Sequence, residues 1–477
     1  MRFPSNLGGA IGSAPRVPAL GYAGIAAFVL LSLAYIFASN ESDRVVVIPA
    51  VVLLNCLGIF LIVLSLPGFR MPVFEIGSMF GVVVTMYGVI PLSQYQLRNG
   101  IYGISSDNRL WVSQPTAEEV GMIGWAHVVF FLAFAVAYLL VRRGSEFEIR
   151  MVEDVGNKQM MFAGIFLAVA IVVQIGIEIV FDLSYTTYVE SYLVAAKLPQ
   201  SLKQIYGHLP GVIFTLKLII FGGIFLKAKN PVRIIALWLG LELGLLLFRM
   251  GWRTYFMLSA TATILFFHAF IRRVSAIALL GIGVATLGVF LLLGVVRNTS
   301  LEEALVESGF WEQSNEMEAV FANALDLMQQ KSRNMIDLPT EAQISELTAF
   351  IPQQFLPFQK FDYAQWYARL NYETEGYTSA FGTIAQSLAG FGWWELLLRG
   401  LLTGVLFGGL HRYFARNSHR WLHCVAYAWL IVTSYQSFRA TSLQPFVVFY
   451  LEALPVFLVM HFIPRPEFET KVLRLGG

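Results

Sequence analysis

The chain has 477 residues, of which 57% are hydrophobic and 13% charged, with a formal net charge of +2. Soluble domains carry roughly 25% charged residues, so this much apolar surface requires lipid as its solvent. A net charge so close to zero leaves no electrostatic footprint for nucleic acid, and that class of partner is set aside.

Apolar runs of about 20 residues match the hydrocarbon thickness of a bilayer at 1.5 Å rise per residue. They fall near 19–38, 45–66, 72–92, 119–141, 159–183, 205–226, 231–249, 252–271, 275–296, 393–414, 421–438 and 444–463. No period-2 segments recur, which argues against a β-barrel. The expected fold is all-α: a polytopic transmembrane bundle of about 12 spans with both termini inside. The first run follows Arg2 and Arg16, is too long for a signal-peptide core, and reads as an uncleaved span. Cys56 and Cys424 both lie within apolar runs and read as packing residues, neither paired nor metal-bound.

Three regions follow from this count: N-terminal spans over 1–296, a large polar loop over 297–392, and C-terminal spans with a tail over 393–477. With the N-terminus inside, the inner segments hold more than twice as many Lys and Arg as the short outer loops, which places the large loop outside. Between 231 and 271 the chain must turn at "FRMGWRT", because one helix of that length would reach about 60 Å, twice the bilayer core. Gly251 is a suitable pivot.

The loop carries its own helical signals. Met317, Val320, Phe321, Ala324, Leu325 and Met328 repeat at helical spacing, a stripe that could lie on the outer leaflet or pack across the mouths of the spans. "DLPTEAQISEL" starts a second helix, with Pro at N1 or Thr340 as cap. The stretch from Phe350 to Gly382 then mixes aromatics with Asp362, Arg369, Glu373 and Glu375. Ring faces beside hydrogen-bonding groups suit sugars, and they also suit an interfacial aromatic belt.

Charge inside the apolar runs is costly and so informative. Lys217 sits mid-span, Glu178 and Glu242 lie in outer halves, and Arg399 lies one to two turns inside its span. Arg249 and Arg253 flank the tight outer turn, and Arg439 ends another span on the same side. Guanidinium forks suit a pyrophosphate and would stabilise it as a leaving group. The alternatives are snorkelling at the headgroups for Arg253 and Arg439, and structural ion pairs with Glu242 or Glu178 for Arg249 and Arg399. Lys217 needs an aqueous cavity or a carboxylate. Candidates for a general base are His208, Glu178, Glu242, Asp362, Glu373 and Glu375. No P-loop, nucleotide fingerprint or metal-ligand spacing appears, so neither cofactor nor metal is expected and the energy must come from an activated substrate or a gradient.

The many spans, the "FRMGWRTYFMLSATATILFF" stretch entering a span, and the loop ending in "YTSAFGTIAQSLAGFGWWELLLRGLLTGVLFGGL" resemble the Wzy-type oligosaccharide repeat-unit polymerases, relatives of the O-antigen ligases. The resemblance covers roughly 235–415. It implies a GT-C-like fold in the bacterial inner membrane with a periplasmic loop. It also implies an inverting, metal-independent glycosyl transfer between undecaprenyl-pyrophosphate-linked oligosaccharides, with a chain-length regulator protein as a further partner. By position it assigns Arg249 and Arg253 to the leaving pyrophosphate, joined by Arg369 and Arg399. Two alternatives share the same charges: a lipid-linked oligosaccharide flippase or transporter, and an O-antigen ligase.

Overall fold

A computed structural model describes residues 41–64, 75–98, 100–101, 115–142, 156–181, 198–248, 253–270, 316–338, 340–351, 355–372 and 381–463. Among the described residues the chain is all helical. The apolar runs predicted within these ranges are helical, the last two in broken form, and six helices among the described residues are long and apolar enough to cross a membrane. The predicted runs at 19–38 and 275–296, and the first part of the loop, lie outside the described residues.

Among the described residues seven long helices come first: α1 Glu41–Leu64, α2 Ile76–Arg98, α3 Ala117–Arg142, α4 Asn157–Val180, α5 Gln200–Lys227, α6 Pro231–Phe248 and α7 Arg253–Phe270. The loop contributes α8 Glu316–Ser332, α9 Thr340–Leu347, α10 Tyr363–Tyr372 and α11 Thr383–Ala389. After them come α12 Trp393–Arg416, α13 Trp421–Thr433, the short α14 Gln436–Arg439 and α15 Gln444–Val448, a π-turn over Phe449–Ala453, and α16 Leu454–Phe462.

The side-chain pattern of α4 shows what solvent these helices meet. Its buried residues are Gln159, Ala163, Ala170 and Gln174, one face of small and polar groups. Its exposed residues include Phe162, Ile165, Phe166, Val169, Val172 and Ile179. A helix in water turns the other way round; hydrocarbon rewards this arrangement, because small residues let helices approach and polar groups find partners inside. Gln159 does so by donating to the Met460 carbonyl at 2.9 Å.

Among the described residues the most extensive helix packing is α12 against α3. Gly400, Gly404 and Gly408 recur every fourth residue on α12, and a methyl group at Gly404 would come 2.4 Å from the Phe134 carbonyl oxygen of α3. Small residues at that spacing allow backbone-to-backbone contact, and α3 answers with Phe130, Phe134 and Tyr138, all fully buried. At its N-terminus α3 is closed by a reciprocal capping box, Thr116 N to Glu119 Oε2 at 2.9 Å and Glu119 N to Thr116 Oγ1 at 3.2 Å.

The predicted turn between 249 and 252 lies outside the described residues, yet its consequence is visible. Phe221 of α5 touches Trp238 of α6, with centroids 4.9 Å apart, and also Phe266 of α7, at 6.0 Å. In one continuous helix Trp238 and Phe266 would be separated by about 42 Å. The chain therefore folds back.

The loop helices cap one end of the bundle. α8 packs on α2, α3 and α11. Its predicted stripe is buried except for the half-buried Met328, and so are Glu318, Asn323, Asp326 and Gln329 on the remaining faces. Tyr367 of α10 donates to Asp326 Oδ2 at 2.7 Å, and Gln329 donates to Glu119 of α3 at 3.0 Å. These partners permit a polar helix to sit inside the protein. α8 therefore packs across the mouths of the spans. At the opposite end, Glu75 accepts from Tyr138 at 2.6 Å and pairs with Arg142 at 2.5 Å, while His411 Nδ1 meets the Tyr427 hydroxyl at 2.6 Å.

Candidate functional site

Residues 434–453 collect the chemistry at the loop end. The sequence predicts two continuous helices here, over 421–438 and 444–463; the chain instead breaks into α14, α15 and the π-turn. Hydroxyls take over the backbone partners that a continuous helix would supply. Ser434 Oγ donates to the Ile431 carbonyl at 2.7 Å, Ser437 Oγ to the Ser442 carbonyl at 2.7 Å, and Thr383 Oγ1 to the Ser437 carbonyl at 2.6 Å. Irregular backbone within a membrane bundle survives only where protein or an aqueous cavity satisfies it. Arg439, Ser442 and Glu452 all project from this segment, each into a different charged contact.

The first contact pairs His208 with Glu452. His208 lies two turns into α5, in "YGHLPG". Its Nδ1 is 3.0 Å from Glu452 Oε1, and because a carboxylate only accepts, Nδ1–H is the donor. The Glu452 side chain is 8% exposed and the imidazole 44% exposed. Glu452 reaches this position because the π-turn rotates it toward α5 and because residue 211 is glycine, where a Cβ would stand 1.6 Å from Glu452 Oε2. Single π-turns inside α-helices concentrate at functional sites. With Nδ1–H committed to the carboxylate, Nε2 is the basic nitrogen, and the ring is held in a fixed tautomer and orientation. Sequence reading names His208 as a base candidate but omits Glu452. The signal was there: a lone acid inside an apolar run, the same criterion that singles out Lys217 and Glu242.

The second contact surrounds Arg399. Its Nη1 donates to Glu346 Oε2 of α9 at 2.5 Å and to Ser442 Oγ at 3.3 Å, and its Nε donates to Glu395 Oε1 one helical turn earlier at 2.8 Å. Gln386 Nε2 adds a bond to Glu346 at 2.9 Å, and the Phe391 amide one to Glu395 at 2.9 Å. One guanidinium thus serves two carboxylates in a buried cluster. Beside it, Tyr363 lies against Gln386, and burial pushes its phenol up to about 12. The Glu346 partner comes from the loop, more than fifty residues away in sequence, and no local pattern announces it.

The third contact joins Arg439 Nε to Glu316 Oε1 at the start of α8, where a carboxylate also complements the helix dipole. Lys331, near the other end of α8, donates to the carbonyls of Ala389 at 2.7 Å and of Gly390, satisfying the C-terminus of α11. Gly382, which enters α11, has φ +83°, and a Cβ there would meet Val320 at 2.5 Å, so the "FG" passage needs glycine.

The remaining predicted residues are placed as follows. Lys217 Nζ meets Glu242 Oε1 at 2.5 Å between α5 and α6, with Trp238 6.0 Å away, so the carboxylate is its partner. Glu178 accepts from Tyr206 at 3.2 Å and from Gln174 at 3.1 Å. Asp362 caps α10, accepting from the Gln365 amide at 3.0 Å, and remains exposed; Arg369 on the same helix is exposed. Arg253 is the first residue of α7, and its side chain lies outside the described residues, as do Arg249, Glu373 and Glu375 altogether. Lys217, Arg399 and Arg439 are thus each held by carboxylates. Their individual charge is compensated within the protein. Among the described residues no group of three or more His, Cys, Asp or Glu side chains is arranged to hold a metal ion. Comparison of the chain with protein-family profiles, with curated proteins and with solved structures returns no match.

Proposed function

We propose that this chain is a membrane glycosyltransferase of the bacterial inner membrane that joins undecaprenyl-pyrophosphate-linked oligosaccharide repeat units on its loop face, as the Wzy-type polymerases it resembles do. The observation that carries this reading is the His208–Glu452 pair, an oriented and half-exposed imidazole at the end of the bundle that the loop helices cover. In the reaction, a hydroxyl at the non-reducing end of one lipid-linked unit attacks the anomeric carbon of another. His208 Nε2 takes the hydroxyl proton, the new glycosidic bond forms, and the bond from the anomeric carbon to the pyrophosphate breaks with inversion. Glu452 stabilises the imidazolium that results. Arg249 and Arg253, at the turn between α6 and α7, carry the charge of the departing pyrophosphate. Sugar contacts fall to Asp362, Arg369, Glu373 and Glu375, and a chain-length regulator protein is the expected macromolecular partner.

A flippase or transporter is the second reading, and one observation favours it. The buried Lys217–Glu242 pair lies deep between two apolar helices, where ionisable groups often mark a translocation path. Deleting the gene and separating the surface glycan on a gel distinguishes the two. A single-repeat band is the result for a polymerase; loss of surface glycan supports the flippase, and long unligated chains support the ligase.

A further inference from the structure

We infer that Ile344, Leu347, Phe350, Ile351 and Phe355 of the loop lie in the hydrocarbon of the loop-face leaflet, and that their partner is the bilayer itself. The orientation of α9 is the first observation. Ser345 and Glu346 are turned inward and buried, Gln343 reaches Glu395, and Ile344 and Leu347 are turned out. Leu347 is 71% exposed, and the outward series continues through Phe350 and Ile351 to Phe355 at 72%. A loop helix bathed in water would present the opposite pattern, as α4 would if it were not a lipid-facing helix. Among the described residues of α9, Glu341 at the start of the helix is polar and exposed.

The backbone at the helix end is the second observation. Carbonyls that water ordinarily satisfies at a C-terminus are here bonded by the protein. Thr348 Oγ1 donates to the Ile344 carbonyl at 2.7 Å, the Ala349 amide to Glu346 O at 3.1 Å, and the Ile351 amide to Thr348 O at 2.9 Å. Lys360 Nζ bends back to the Ala349 carbonyl at 2.9 Å. A helix end supplied in this way is suited to a medium without donors.

The third observation is continuity with faces that meet lipid. The Phe350 ring packs edge-on against Tyr450, 6.1 Å between centroids, and Tyr450 is itself exposed beside Leu451 in the last apolar span. On the other side, Phe391 at 73% and Trp394 at 74% exposure lead into Leu398 and Leu402 on the outer face of α12. The segment thus extends an apolar surface that already faces hydrocarbon, and its aromatic residues are suited to the interfacial zone. This placement holds whatever the chain transfers.

The test uses nitroxide labels on Leu347→Cys, Ile351→Cys and Phe355→Cys, with Asp337→Cys as the aqueous comparison, in protein lacking Cys56 and Cys424 and reconstituted into phosphatidylethanolamine–phosphatidylglycerol vesicles. Collision with oxygen and with a water-soluble nickel chelate is measured by power saturation. The ratio of oxygen to nickel accessibility at 347, 351 and 355 is expected to exceed that at 337 by roughly tenfold, the signature of side chains several ångströms below the headgroups. Equal ratios at all four positions would place the segment in water and overturn the inference. Labels shielded from both reagents would also overturn it. Spin–spin broadening that disappears on dilution would then assign the surface to a second copy, and its absence would assign it to a bound chain or to other protein.

Discussion

Replacing Arg399 with methionine is expected to cost more than removing either carboxylate that it serves. The three side chains are 10% exposed or less, and Arg399 bonds to Glu346 at 2.5 Å and to Glu395 at 2.7 Å. Removing the guanidinium leaves two buried carboxylates facing each other, supported by Gln386, Gln343 and two backbone amides. Breaking a buried pair from one side costs about 3–5 kcal/mol. Glu346→Gln, by contrast, keeps Arg399 paired with Glu395 and retains a hydrogen-bonding amide, and should cost about 1–2 kcal/mol. Arg399→Lys falls between, since a single ammonium cannot span both carboxylates in the same fork. Because Glu346 belongs to α9, the opening should be local first. Limited proteolysis within 340–351 should accelerate before the thermal midpoint in detergent moves by its full amount. The reasoning is refuted if Arg399→Met is as resistant as the wild type, or if Glu346→Gln is the more damaging of the two.

Three further outcomes follow from the same geometry. Gly404→Ala should separate α12 from α3 and destabilise the detergent-solubilised protein by about 1–3 kcal/mol, whereas Gly409→Ala, with nothing within 4 Å, should leave the melting curve unchanged. Lys217→Met and Glu242→Gln should each be strongly destabilising, about 3–5 kcal/mol for an orphaned buried charge, and the double variant should recover much of the loss in a double-mutant cycle. Tyr363 holds its proton up to about 12 in the folded chain, against about 10 when unfolded. Its contribution is therefore complete below pH 10 and is lost as pH rises from 10 to 12, so Tyr363→Phe should flatten the stability profile in that window alone.

Much of the bundle was legible because a span needs only length and apolarity, and both can be read locally. The glycine spacing of α12 was legible for the same reason: Gly400, Gly404 and Gly408 fall on one face whatever they contact. The partners of the intramembrane cations were a different matter. Lys217 and Glu242 are both conspicuous in the sequence, but their pairing depends on how α5 packs against α6. Glu346 and Glu316 read as ordinary loop acids, and only the docking of α8 and α9 gives them their arginines. The breaks over 434–453 were hidden because the flanking residues are apolar enough for continuous helix. It is the hydroxyls of Thr383, Ser434 and Ser437, acting across the fold, that make interruption tolerable. The outward series Ile344, Leu347, Phe350 and Phe355 was visible as residues but not as a lipid face, since that depends on Glu346 being drawn inward.

Chain extension by the purified protein is the most direct test of the catalytic reading. Wild-type protein in vesicles should lengthen a defined undecaprenyl-pyrophosphate repeat unit, and His208→Ala should slow extension by about 10²- to 10⁴-fold, the usual contribution of a positioned base. Glu452→Gln should slow it too and alter its pH profile, because the imidazolium loses its carboxylate partner. Extension by both variants at close to the wild-type rate would contradict a base at the His208–Glu452 pair.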